Sequence, residues 1–415
     1  MKKFQLSKQY RFTTAEDVND SYTTIATQLK SGERYGLLDT ASGECIIIND
    51  TMYQFLKQYE TPKTLEDVAQ FFATTFDSIL QEVLPIVKQF FKEMKERGVI
   101  LNPQKVEHFE IIKPYTTGTL VDHYRIEKNL STNLPLEVYK ATNTRTEQLV
   151  ILKLLRIPTH LSQKRTNEWR KKFRKEFKIQ KILRGHPHIC QLLDLKLDYA
   201  VSEWIEGISL RRRLDEGIAP AAALRDALLI QIIDAYAFMH HKNILHGDVH
   251  FSNILLSNDT DIKVIDFDLA HRLTDKKKSA SVRGGMPDFI PPENIHFNAF
   301  EIVKGKANYR TEVYQLGIIT YWMIYGKLPF SGDTWQDLAT NILKKGIDCP
   351  TLSASGDTVS PKMKAFLKKS LAKKAKNRFA SAVKMNAAFK KVSAYLCSSF
   401  LSNKTYFFKI SSESA

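Results

Sequence analysis

The sequence predicts an α+β chain: a small unit made of a hairpin and three helices, followed by a larger domain with two lobes. Three observations predict it. The 415 residues are too many for one small core, so two or more domains are expected. Apolar residues near the start change from strand-like runs to helical spacing within one short region. From Tyr124 to about Trp204 the pattern is strand-rich, and beyond it the pattern is mainly helical to the end. The hydrophobic share of 43% and charged share of 26% are those of a globular chain, which excludes a low-complexity or fibrous one.

Taken in order, residues 1–32 carry no readable pattern and form an N-terminal extension. "YGLLDTASGECIIIN" has two apolar runs around a Ser-Gly turn and reads as a hairpin. "DTMYQFLKQY" follows as a helix with Met52, Phe55 and Leu56 on one face. A second helix opens at Thr64, with Asp67 three residues later as a capping box. A third runs roughly from Ser78 to Arg97, with Val83, Val87, Phe90, Phe91 and Met94 inward. Pro85 either begins that helix or kinks it, and Gly98 stops it. "VILN" reads as a short closing strand. Residues 33–102 thus form a winged-helix-like unit. Residues 103–120 read as a linker, 121–203 and 204–395 as the two lobes, and 396–415 as a C-terminal tail.

The formal charge of +16 is uneven: residues 1–115 carry a net of −2 and the remainder +18. Cys45, Cys190, Cys349 and Cys397 stand far apart with no metal spacing, which fits a reducing compartment. No run approaches a membrane span, and "MKKFQLSKQY" lacks the apolar core of a signal peptide. A cytoplasmic protein with no membrane partner is expected.

The chemistry-bearing stretch is "ILHGDVHFSNILL", which sets His246, Asp248, His250 and Asn253 between apolar runs. Phosphoryl transfer needs metal ligands, a residue that orients the attacking hydroxyl, and a cation on the nucleotide phosphates. Asp248 and Asn253 have the D-x-x-x-x-N spacing that serves the acceptor and the metal. Thirteen residues after Asn253, in "IKVIDFDLA", comes Asp266, which follows a hydrophobic strand and can hold Mg²⁺. Over roughly residues 120–395 the chain resembles the protein-kinase superfamily. "LVILKLL" resembles the strand that carries the phosphate-binding lysine, Lys153. "FRKEFKIQKIL" resembles the helix whose glutamate, Glu176, pairs with it. "YAVSEWIEGISL" resembles the hinge, with Ser202 as gatekeeper and the backbone of Glu203 and Ile205 facing adenine. "PPE" and "AKNRF" supply Glu293 and Arg378 as an ion pair. Each motif alone is weak; their shared order carries the resemblance. It implies ATP and Mg²⁺, with Lys153, Ser131, Asn133, Val138, Ser202, Glu203 and Ile205 around the nucleotide. Asp248, His250, Lys153 and Glu176 are then catalytic, and Asn253 and Asp266 hold metal.

The pattern departs in places. The nucleotide-covering loop "NLSTNLPLEVYKA" has Ser131, Asn133 and Leu136 at its three glycine positions, which puts close phosphate approach in doubt. Gly247 stands where many kinases have an arginine that reads a phosphate on the activation segment. His250 replaces a lysine. "HGDVH" and "DFD", with Asp268, are similar to the aminoglycoside- and choline-kinase branch. Glu312 replaces an aspartate that braces the catalytic loop. Lys153, Glu176, Asp248, Asn253 and Asp266 are all retained, which favours an active enzyme.

The basic runs "KRTNEWRKKFRKEFK", "KKSLAKKAKNR" and "DKKKSASVRGG" read singly as solvated faces, and together they suit an acidic peptide or protein substrate. Aromatic interleaving of the kind that binds single strands is missing, and residues 1–115 lack the positive charge that duplex binding needs. Residues 33–102 instead resemble a PqqD-like domain, the leader-peptide recognition element of ribosomally made, modified peptides. That resemblance rests on the "LLD..SG" hairpin, the "IND" turn, "TLEDVA" and "ERGVI". It implies strand addition near Cys45–Asn49, against the Val83–Met94 helix. The reading is an ATP- and Mg²⁺-dependent kinase of Ser/Thr hydroxyls on a precursor peptide. The alternatives are a catalytically weak pseudokinase scaffold and a small-molecule kinase. Any later elimination or cyclisation would need partner modification enzymes.

Overall fold

The computed structural model describes residues 2–8, 10–13, 34–39, 45–96, 99–103, 114–133, 136–157, 163–216, 222–273, 287–295 and 307–402. The chain divides into two compact units. One is Met1–Lys172 with Leu195–Val201, and the other is Phe173–Asp194 with Ser202–Ala415.

The N-terminal domain runs β1 (Gln5–Leu6), β2 (Tyr10–Thr13), β3 (Arg34–Asp39), β4 (Cys45–Asn49), α1 (Asp50–Lys57), α2 (Leu65–Thr75), α3 (Leu80–Glu96) and β5 (Ile100–Leu101). The expected hairpin is present: β3 pairs antiparallel with β4, from Arg34 opposite Asn49 to Leu38 opposite Cys45. Residues set apart as an extension do more than expected. β2 pairs with β3, Phe12 opposite Leu37, so the sheet order is β2-β3-β4. β1 pairs with β5, Leu6 opposite Ile100. Thr64 caps α2: its hydroxyl accepts from Asp67 N–H, and the Asp67 carboxylate accepts from Thr64 N–H. That reciprocal pair fixes where the helix starts. Pro85 lies inside α3, near its beginning. Phe55, Leu56, Tyr59 and Val68 are fully buried, with Val87 and Met94 close behind. Val83, Phe90 and Phe91 are half-buried against that core.

The strand-rich lobe contains β6 (Leu120–Val121), β7 (Tyr124–Asn133), β8 (Leu136–Asn143), β9 (Leu149–Leu155) and, after α4 (Gln163–Ile182) and β10 (Leu192–Leu195), β11 (Tyr199–Glu203). Strands β6 to β9 form an antiparallel meander with β11 beside β9. Alternation along β8 buries Tyr139 and Ala141 with Ile126, Leu152 and Val201.

The helical unit takes in the second half of α4, which the expected lobe boundary at residue 203 did not separate. The reason is packing: Ile179, Leu183, Ile189 and Cys190 belong to its core. Beyond them come β12 (Ile208–Ser209), α5 (Leu210–Asp215), α6 (Ala222–His241), β13 (Ile244–Leu245), β14 (Ile254–Ser257), β15 (Asp261–Val264), β16 (His271–Arg272), α7 (Tyr309–Tyr325), α8 (Trp335–Lys344), α9 (Pro361–Ser370) and α10 (Ala382–Ser402). Helix α7 is buried along its whole length from Thr311 to Tyr325, which accounts for its apolar residues on every side. Gly317 lets α9 come close, since a Cβ there would lie 2.9 Å from the Cβ of Ser370. Arg378 has all five donors engaged. Two reach the Glu293 carboxylate at 2.8 and 2.7 Å, and the others reach the carbonyls of Arg310, Ala372 and Lys373. The expected Glu293–Arg378 pair is therefore present and bidentate.

One charged cluster sits inside the strand-rich lobe. The Glu137 side chain is fully buried and accepts from Arg156 at 3.0 Å and from the Tyr139 hydroxyl at 2.8 Å. That hydroxyl also accepts from Tyr115 N–H at 2.8 Å, and Arg156 stacks on the Tyr115 ring. Removing one partner of a buried ion pair strands the other. We expect Arg156→Met to destabilise the strand-rich lobe by about 3 kcal/mol, read as a lower urea midpoint with an unchanged m-value. An unchanged midpoint would contradict a structural role for the pair.

Candidate active site

The segment between β13 and β14 is held in shape from three directions. His246 is fully buried between Tyr236 and Phe267, and its Nε2–H donates to the Ile265 carbonyl at 3.0 Å. Gly247 has φ +81°, and a Cβ there would lie 2.6 Å from the Leu269 carbonyl oxygen. Its N–H donates to Glu312 Oε1 at 2.8 Å. The other Glu312 oxygen lies 2.8 Å from His240 Nε2. His240 Nδ1 accepts from Ala382 N–H at 2.9 Å, so the ring proton is on Nε2 and is donated to Glu312. Burial first, and then the charges of Glu312 and Asp248, push the Tyr236 phenol well up and keep it protonated.

Inside this frame the side chains converge. His250 Nδ1 accepts from Ser252 N–H at 3.1 Å, which leaves its proton on Nε2, 3.2 Å from Asp248 Oδ2. The Asn253 amide donates to the Asp248 carbonyl at 2.9 Å and to Asp248 Oδ2 at 3.2 Å. The same amide nitrogen lies 3.1 Å from His250 Nε2. Both are donors there, so this is a close contact between two groups that share Oδ2. These bonds of Asn253 use its amide nitrogen, and its Oδ1 takes part in neither. The role expected of His250 is to stabilise transferred charge; what the structure shows is its contacts within the loop. Both ring nitrogens are engaged within the loop, so the ring positions Asp248.

Asp266 follows Ile265, whose N–H donates to the Asn253 carbonyl at 3.0 Å. Asp266 adopts φ +62°, a left-handed conformation uncommon for a residue with a Cβ. Its Oδ1 accepts from Asp268 N–H at 3.3 Å, a local bond of the kind that eases Asp into that region. Carboxylate oxygens of Glu176, Asp266 and Asp268 lie within 4.8 Å of one another. Oxygen donors at this spacing suit a hard divalent cation. Asp268 has no metal role in the sequence-based expectation, and "DFD" was the available signal for this third carboxylate.

The remaining expected residues are distributed as follows. Lys153 lies on β9 directly opposite Val138 on β8. Ser131 is opposite Val138, and Asn133 opposite Leu136, so the described part of the glycine-free segment is paired strand, with a register shift between Asn129 and Ser131. Residues 134 and 135 lie outside the described residues, as do Ser279 and Ser281 of the activation segment. Ser202 is buried, and its Oγ accepts from Gln180 Nε2 at 3.3 Å. The Glu203 carboxylate accepts from Lys263 Nζ at 2.7 Å and from Gln191 N–H at 2.9 Å. Ile205 packs on the core of the helical unit.

A second concave feature belongs to the N-terminal domain. A cavity of about 240 Å³ is lined by Thr51, Phe72, Phe76, Val83, Ile86 and Phe90 among others. Phe76, Ile79 and Ile86 are more than half exposed beside it.

An Asp-x-x-x-x-Asn loop tied to a segment that leads from a strand into a left-handed aspartate defines a protein-kinase-like catalytic domain. The comparisons agree: the protein kinase domain family matches residues 136–390, and the chain belongs to that family. Serine/threonine-protein kinase PknB of Mycolicibacterium smegmatis is 28% identical over 285 residues, 66% of this chain and 43% of that protein. PknL of Mycobacterium bovis is 27% identical over 279 residues, 66% of each chain. PrkC of Bacillus subtilis is 28% identical over 261 residues, 61% of this chain and 38% of that protein. The chain thus spans less than half the length of PknB and PrkC. The family implies ATP and a divalent metal ion. No helix among the described residues is long and apolar enough to cross a membrane.

Glu312 is the most testable part of this frame. It accepts two hydrogen bonds, and a glutamine would turn a donor toward one of them. We expect Glu312→Gln to cost about 1–3 kcal/mol and to lower turnover without abolishing it. Thermal unfolding and kcat measured on the same preparation check this; a wild-type melting temperature would show that the bridge does not hold the loop.

Proposed function

We propose that this protein is an ATP- and Mg²⁺-dependent kinase that phosphorylates Ser or Thr hydroxyls of a peptide bound through its N-terminal domain. The observation that carries the catalytic part is the convergence of His250 and Asn253 on Asp248 Oδ2. It holds the carboxylate in one orientation, with Oδ1 available to take the acceptor proton. Asn253 and Asp266 would hold the metal, with Asp268 and Glu176 within reach of the same region. The bound metal supplies charge neutralisation at the phosphates. Lys153, with Val138 across from it, would bind the nucleotide phosphates. Ser131, Asn133, Ser202, Glu203 and Ile205 would surround the nucleotide. With all five family positions present, an active enzyme is favoured over a pseudokinase scaffold.

Three features support the peptide part. β4 stands last in the order β2-β3-β4, so its outer edge can accept an added strand. The apolar cavity of α3 and α2 lies next to Thr51, just past the end of β4, where side chains of that strand would enter. The near-neutral charge of residues 1–115 disfavours duplex nucleic acid. The PqqD-like resemblance gives this peptide a class: a ribosomally made precursor held by its leader. Its acceptors would lie near acidic residues, matching the basic remainder of the chain. Tethering a leader raises the effective concentration of the acceptor to about millimolar.

Two outcomes are expected. Asp248→Asn abolishes transfer and leaves ATP affinity nearly intact, whereas Asp266→Asn weakens Mg²⁺-dependent ATP binding. Isothermal titration and single-turnover phosphate transfer check both, and wild-type turnover in both variants would overturn the assignment of this loop. In the full chain, Phe76→Glu with Ile86→Glu raises KM for a leader-bearing peptide about tenfold with kcat unchanged, since leader binding is uniform between ground and transition states. Unchanged KM would remove the groove from peptide recognition.

A further inference from the structure

Lys263 lies outside the groups assigned to the nucleotide or the metal, yet it joins the two. It stands on β15, opposite Leu255 of β14 and three residues before Asp266. Its Nζ donates to Glu203 Oε1 at 2.7 Å. The same oxygen accepts from Gln191 N–H at 2.9 Å, and the Glu203 N–H donates to the Gln191 carbonyl at 3.0 Å. The last residue of β11 is thus held by side chain and backbone together.

The groups that hold it are themselves anchored. Gln191 Oε1 accepts from Gly185 N–H at 2.7 Å, and its Nε2 donates to the His186 carbonyl at 3.0 Å. Cys190 N–H donates to the Val264 carbonyl, and Val264 N–H to the His188 carbonyl, both at 2.9 Å. Residues 185–191 and β15 form one hydrogen-bonded frame, and Glu203 joins it through Gln191 and Lys263.

Stability does not account for the ion pair. The Lys263 and Glu203 side chains are 22% and 27% exposed, and pairs open to water contribute little to folding. What the pair fixes is direction. With its N–H engaged by Gln191, Glu203 has its carbonyl to offer a nucleotide, and the Cys190 thiol, 4.0 Å away, is a weak competitor for it. Adenine carries an amine, which donates, where guanine carries a carbonyl, which accepts. A carbonyl held in one place therefore accepts from adenine and repels guanine. A carbonyl free to turn aside does neither well.

We infer that Lys263 is a positioning residue that sets nucleotide specificity: by holding the Glu203 carboxylate it aims the Glu203 carbonyl at the amine of adenine and against guanine. The inference rests on the hinge reading, in which the backbone of Glu203 faces the base. It adds that preference for ATP over GTP is enforced from β15, the strand that leads to Asp266.

The test measures Mg²⁺-ATP and Mg²⁺-GTP affinity of the full chain by isothermal titration. Wild type is expected to bind ATP at least about tenfold more tightly than GTP. Lys263→Met should weaken ATP binding about fivefold to tenfold and change GTP binding by less than about twofold, so that discrimination falls toward unity. Lys263→Arg keeps a charged donor on Glu203 and should stay within about twofold of wild type for both nucleotides. Glu203→Gln should act as Lys263→Met does, and the double variant should be no worse than either, since both remove one interaction. A wild-type ratio of the two affinities in Lys263→Met would overturn the inference, whether or not both affinities fall. So would Lys263→Arg as damaged as Lys263→Met, or a wild type that binds ATP and GTP equally, and each of these leaves the hinge reading standing. A wild type that binds no ATP would overturn the hinge reading and the inference with it.

Discussion

A single buried carboxylate organises the helical unit. Glu312 sits on α7 with its side chain 1% exposed, and it accepts from His240 at the end of α6 and from the backbone of Gly247. His240 in turn accepts from Ala382 at the start of α10. Three helices and the catalytic loop are therefore referenced to one group. Burying a carboxylate is costly unless its oxygens are satisfied, and here each oxygen has a donor. The arrangement tolerates little relaxation: moving any one of the three helices breaks a bond that leaves a buried polar atom alone.

From that anchor the chemistry follows in short steps. Gly247 passes directly to Asp248, whose Oδ2 collects His250 and Asn253. His246, one residue before Gly247, bonds the carbonyl of Ile265, and the N–H of Ile265 bonds the carbonyl of Asn253. Asp266 is thereby tied to the same loop at two points, and its left-handed backbone is held by neighbours on both sides. Preorganisation of this kind places the charges before the reactants arrive, which is where electrostatic catalysis gains most.

Much of this was legible in the sequence, and the division has a physical reason. Asp248, Asn253, Asp266, Glu293 and Arg378 were readable because their chemistry fixes spacing in the chain. The bracing role of Glu312 was readable only by resemblance, and its link to His240 was not, since 72 residues separate them. The role of His250 as a positioning group within the loop depends on which ring nitrogen is engaged, and sequence carries no such information. In the N-terminal domain, the Thr64–Asp67 cap was legible because it is local. The strands β1 and β2 were not. Each is short, and each finds its partner only after the chain returns, Leu6 with Ile100 and Phe12 with Leu37. Their pairing is a tertiary fact, set by the partner rather than by their own propensity.

Gly247 connects the frame to control. Its Cβ position is occupied by the carbonyl oxygen of Leu269, 2.6 Å away, and its φ of +81° is one that side chains rarely adopt. The catalytic loop and the turn beyond Asp266 approach each other there more closely than any side chain at position 247 permits. An arginine at this position, as many kinases have, would have to push the two apart and so disturb Asp266. The close approach and a phosphate-reading arginine at this position are thus mutually exclusive solutions. One couples the loop to a charge added on the activation segment. The other, found here, sets it against the backbone of Leu269, just beyond Asp266, and ties it to α7 through Glu312. A loop fixed in this way has no place at residue 247 to receive a phosphate signal, and its geometry depends on the packing of α6, α7 and α10 instead.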